Sequence, residues 1–116
     1  MGEVLLAVVP AALDDKAVMV LQKELAHRIV DTVARGVVID ISGLDFVDTF
    51  IAGRLSALAT AAALLGARPV LTGMRPAVAQ TLVHLGVELH GIAGARDLET
   101  GLALLHSPGT RIPAAG

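Results

Sequence analysis

The amino-acid sequence predicts a single α/β domain with a largely parallel sheet, and three observations carry this. Short runs rich in Val, Ile and Leu, at Val4–Val9, Val37–Ile41, Pro69–Thr72 and Val87–Ile92, alternate with longer segments of helical periodicity. The connections between them are short and punctuated by Gly, Pro and Asp. A chain of 116 residues is long enough for one hydrophobic core but not for two. The order β-α-β-α-β-α-β-α then implies parallel strands with helices packed against them.

The first strand, Val4–Val9, stops at Pro10. Leu13-Asp14-Asp15 supplies a helix N-cap, and the helix is expected to run to about Ala34, with Val18, Leu21, Leu25, Ile29 and Val33 on its apolar stripe and Gly36 as its C′ residue. Val37-Val38-Ile39-Asp40-Ile41 is an unbroken β-branched run, the pattern of a strand covered on both faces. Ser42-Gly43 breaks it, and Leu44–Val47 forms a connection. Asp48 caps a second helix that opens at Thr49, carries Phe50, Ile51, Leu55, Leu58, Ala59, Ala62 and Leu65, and stops at Gly66. The third strand is Pro69–Thr72. Pro76 sits at a helix N1 position, and the helix runs from Ala77 to Leu85. A fourth strand, Val87–Ile92, leads to a helix capped by Asp97 that reaches Leu105. Residues 1–106 thus form the domain, and 107–116, rich in Pro and Gly, read as a flexible tail.

Composition narrows the function. Apolar residues make up 54% of the chain, yet Phe46 and Phe50 are its only aromatics, so the core is built of Leu, Val, Ile and Ala. No apolar run approaches the ~18–20 residues of a membrane span, and the start Met-Gly-Glu-Val has neither a basic n-region nor a cleavage site. A cytoplasmic, soluble domain is expected. There is no cysteine, hence no thiolate nucleophile or Cys-ligated metal. A net charge of −2 argues against a nucleic-acid or anionic-membrane surface.

Enzyme signatures are missing where this architecture would carry them. The sequence contains no G-x-x-x-x-G-K-[ST], no G-x-G-x-x-G and no G-x-S-x-G. Its four histidines show no metal-binding spacing. Asp40, Asp45 and Asp48 form the one acidic cluster. These three fit a Mg²⁺ site, or equally a turn residue, a solvated residue and a helix cap. A phosphoaspartate receiver would need an acidic pair after its first strand and a Lys after its last, and both are missing. No cofactor, no resident metal and no catalytic residue are expected. What the corner does offer is the Thr49 hydroxyl on the rim of a helix N-terminus, where a phosphate would meet backbone N–H groups and the positive end of the helix dipole.

Two segments carry a resemblance. Val38-Ile39-Asp40-Ile41, a short loop and Asp48-Thr49-Phe50-Ile51-Ala52 resemble the phosphorylation motif of STAS domains, the anti-sigma factor antagonist fold. Leu71-Thr72-Gly73-Met74-Arg75-Pro76-Ala77-Val78-Ala79, with Leu85-Gly86 beyond it, is similar to the RsbS- and RsbR-type proteins of the bacterial stressosome. The match covers nearly the whole chain from Val4 to Leu105. It implies a single STAS domain with a central, mostly parallel sheet of four to five strands and about four helices, since the family tends to carry a further short strand before Val4.

By position, the resemblance implies a non-enzymatic, phospho-switched antagonist of a stress-signalling cascade. It would hold an RsbT-like serine/threonine switch kinase, join RsbR-like paralogues in a homo- or hetero-oligomeric scaffold, and release the kinase when Thr49 is phosphorylated. RsbS-type proteins usually have Ser at that position, whereas Thr49 follows the RsbR type. Thr81 aligns with a second phosphorylated Thr of the RsbR type and reads equally as a structural Thr on a helix. Asp45, Phe46, Asp48, Phe50, Arg54 and Arg75 are the expected partner contacts. Two alternatives stay open: a free anti-sigma factor antagonist that binds an anti-sigma kinase directly, and a small metal-binding domain using Asp40, Asp45 and Asp48.

Overall fold

The computed structural model describes residues 3–44, 47–84 and 93–95, together with Ala103 and Leu105. Four strands, β1 (Val4–Val8), β2 (Gly36–Asp40), β3 (Arg68–Thr72) and β4 (Ala93–Ala95), form one sheet in that order, and every pairing is parallel. The described residues include three continuous helices, α1 (Asp15–Thr32), α2 (Thr49–Leu64) and α3 (Pro76–His84). They hold no strand ahead of β1. The strand expected at 87–92 lies outside the described residues, and the pairing seen is at Ala93–Ala95. Most of the last expected helix also lies outside them, although Ala103 and Leu105 are helical.

Strand alternation sorts the core into two faces. Ala7, Val37, Ile39 and Leu71 point to the face covered by α1, α2 and α3, where they meet Val18, Leu25, Ile29, Leu55, Ala59, Val78 and Leu82. Val38 and Val70 point the other way and pack with Leu105. Residues Gly36 to Ile39 of β2 are buried, as the β-branched run requires for a strand covered on both sides. The small side chains Ala52, Ala59 and Ala62, each at most 1% exposed, let α2 approach the sheet closely.

The end of α1 departs from expectation. The helix stops at Thr32, not near Ala34, and the left-handed residue is Val33, with φ 51° and ψ 46°. The Ala34 N–H donates to the Ile29 carbonyl at 3.1 Å, which closes the turn and buries Ala34. Val33 is thereby turned out and is 75% exposed, so it is not part of the apolar stripe. Gly36 is the first residue of β2. Its missing side chain makes room for Leu105, whose Cδ2 lies 2.8 Å from where a Cβ would stand. Packing, and not a chain reversal, explains that glycine. A β-branched residue in the left-handed region costs roughly 1–2 kcal/mol, so Val33→Gly is expected to raise the melting temperature by about 4–8 °C per kcal/mol recovered. Thermal unfolding followed by circular dichroism checks this.

Candidate functional site

Each of α1, α2 and α3 follows a strand of a parallel sheet, so their N-termini gather at one end of it. The connection from β2 to α2 is built from local contacts. The Ser42 N–H donates to Asp40 Oδ1 at 2.9 Å, turning the chain at the end of β2. The Leu44 N–H donates to the Ile41 carbonyl at 3.0 Å. Buried Leu44 and Val47 anchor the loop on both sides of Asp45 and Phe46, which themselves lie outside the described residues. Asp48 is extended, and its Oδ1 accepts the Ile51 N–H at 2.9 Å, as an N-cap should. Thr49 is therefore the first residue of α2, and its side chain is exposed.

Around Thr49 the surface is mixed. Phe50 is 45% exposed, and the Arg54 guanidinium carbon lies 4.6 Å from its ring centroid, a distance suited to a cation–π contact. Asp15, at the start of α1, pairs with Arg54 at 2.7 Å. Both side chains are well exposed, so this bridge fixes geometry more than it stabilises, being worth about 0–1 kcal/mol. Arg75, just before α3, donates from Nη2 to the Ser42 carbonyl at 3.1 Å and ties the third helix start to the same loop. Gly73 makes this approach feasible. At φ 75° its ideal Cβ would stand 2.6 Å from Asp40 Oδ1.

Asp48, Thr49, Phe50 and Arg54 thus share the first turns of α2, and Arg75 reaches the loop that leads into them. In the sequence Asp15 reads only as part of the Leu13-Asp14-Asp15 helix cap, with nothing to join it to Arg54. Thr81 is elsewhere on α3, half-buried, and its hydroxyl donates to the Ala77 carbonyl at 2.9 Å. That intrahelical bond is a structural use of the side chain. Asp40 and Asp48 each engage a backbone N–H, and among the described residues no group of three or more potential metal ligands occurs. No helix among them is long and apolar enough to cross a membrane.

This geometry has close relatives. The chain is 37% identical over 87 residues to the RsbT co-antagonist protein RsbRA of Bacillus subtilis, which is 68% of this chain and 32% of RsbRA. It thus spans about a third of that relative's length. Among solved structures, Moorella thermoacetica RsbS bearing a serine-to-glutamate substitution superposes with a TM-score of 0.72 at 41% identity, covering 86% of this chain and 85% of that one. A chain from a structure of the molecular architecture of the stressosome, a signal integration and transduction hub, gives 0.74 at 41% identity, covering 86% and 87%. Residues 2–92 match the STAS domain family. The chain belongs to that family, as a homologue of the RsbR- and RsbS-type stressosome proteins.

Proposed function

We propose that this domain is a phospho-switched stressosome antagonist in the cytoplasm, itself without catalytic activity. It holds an RsbT-like serine/threonine kinase at the N-terminal end of α2, assembles with RsbR-like paralogues, and lets the kinase go when Thr49 is phosphorylated. The observation that carries this reading is the exposed Thr49 at the first position of α2, flanked by the capping Asp48 and the half-exposed Phe50. A phosphate there adds about −1.5 to −2 charge at neutral pH. With Asp48 adjacent, Asp14 at the neighbouring helix start and Asp15 already paired with Arg54, the corner turns net anionic. A docked partner that had paired with the unmodified surface loses on the order of 2–5 kcal/mol when its buried contacts are left unmatched.

The test uses the purified chain, an RsbT-class kinase from the same genome, and ATP. Mass spectrometry should place a single phosphate on Thr49, and Thr49→Ala should abolish it. Thr49→Glu should weaken kinase binding at least tenfold, on the scale of 1.4 kcal/mol per decade. Absence of incorporation, or equal incorporation in Thr49→Ala, would sink the proposal.

A further inference from the structure

Gly53 lies in the interior of α2, has no positive φ, and is exposed. Glycine in that setting weakens a helix relative to alanine, because it loses more backbone freedom on folding and leaves its turn open to water. Three other glycines have reasons internal to the fold: Gly66 and Gly73 hold positive φ, and a Cβ at Gly36 would collide with Leu105. At Gly53 neither reason applies. Its chain neighbours and the helix's own backbone aside, no atom among the described residues lies within 4 Å of where a Cβ would stand. The fold would accept alanine there and be more stable for it.

This bare position adjoins the candidate site. Residues three and four apart are neighbours on a helix surface, so Thr49, Phe50 and Ala57 surround Gly53. Rows of side chains four apart form the ridges by which helices pack. Phe50 and Arg54 make one ridge, with the guanidinium 4.6 Å from the ring centroid and bonded to Asp15 at 2.7 Å. Thr49, Gly53 and the half-buried Ala57 make the next row, and Gly53 is a gap in it.

We infer that a main-chain segment of the docked kinase crosses α2 through the gap at Gly53, alongside the Phe50–Arg54 ridge. This rests on the proposed kinase docking and gives it a point of closest approach. A missing Cβ lets one backbone come up against another, and the half-exposed Phe50 ring offers the crossing segment an apolar wall. The crossing also accounts for the potency expected of a phosphate on Thr49. Side chains one turn apart stand about 5–6 Å from each other, so the added charge would sit where the partner has displaced the water that screens it.

Calorimetric titration of the whole chain with the purified RsbT-class kinase tests this, without ATP so that Thr49 stays unmodified, alongside thermal unfolding of each variant. Gly53→Ala should melt roughly 2–6 °C higher. It should nevertheless bind the kinase about tenfold or more weakly, because a methyl group then stands between the two backbones. A glycine kept for internal packing would lose stability and binding together, so the opposite signs separate the two roles. Val33→Gly, also expected to melt higher but sited at the far end of α1, should bind as the unmodified chain does. Gly53→Ala that binds as tightly as the unmodified chain, or that melts lower, overturns the inference, as does equal weakening in Val33→Gly. In each of these cases the docking at Thr49 stands and only the crossing point is wrong. An unmodified chain that fails to bind the kinase overturns the docking reading and this contact with it.

Discussion

Alanine in place of Gly73 is expected to cost roughly 2–4 kcal/mol of folding stability. Two causes add. At φ 75° a side chain is held in the left-handed region, a penalty of roughly 1–2 kcal/mol. The new Cβ would also stand 2.6 Å from Asp40 Oδ1 and 2.9 Å from the Ser42 nitrogen, on the two atoms that form the turn after β2. Relief requires that hydrogen bond to open, for about 1–2 kcal/mol more. The damage is local to the candidate site, since the same turn presents the Ser42 carbonyl to Arg75 and leads to Asp48. Urea unfolding should therefore show a lower midpoint, and any kinase binding should fall along with it. A melt equal to that of the unmodified chain would contradict the close approach at Gly73.

Ile39→Ala is expected to cost about 2–5 kcal/mol. Ile39 is fully buried in the middle of β2, paired with Ala7 on one side and Leu71 on the other. Its side chain points toward the three helices. With no aromatic in the described core to shift and fill the gap, the cavity should persist, because Leu, Val and Ala neighbours are already held by their own backbones. The effect on function differs from that of Gly73→Ala. The α2 start is capped from within its own first turn, so Ile39→Ala lowers the denaturation midpoint without changing the surface the folded fraction offers. Denaturant titration at fixed m-value measures the first, and binding corrected for folded fraction measures the second.

The parts of the site that depend on near neighbours were legible in the sequence. Asp48 and Thr49 could be placed to the residue because a cap involves one carboxylate and an N–H three positions away. β2 was legible because burial on both faces leaves no room for a polar alternation. Gly66 was correctly read as the stop of α2, with φ 88°. What could not be read depends on contacts distant in the chain. Asp15 and Arg54 are 39 positions apart, and no local pattern joins them. Gly36 looked like a helix terminator because Gly commonly is one, yet its reason is Leu105, on the far side of the sheet. Val33 broke the helical stripe because the turn into β2 had to bury Ala34, a demand that periodicity does not register.

The plain order of the described strands, one to four in sequence, has a bearing on what kind of molecule this chain recognises. Open α/β sheets that bind nucleotides or metabolites do so in the crevice that opens where the strand order reverses and successive crossovers diverge to opposite faces. The described strands contain no such reversal, and α1, α2 and α3 cover the same face. Their starts therefore stand side by side at one end of the sheet, without a switch-point crevice among the described strands. An end of the sheet built that way is consistent with the proposed docking of another protein, and the nucleotide crevice of switch-point folds has no counterpart among the described strands.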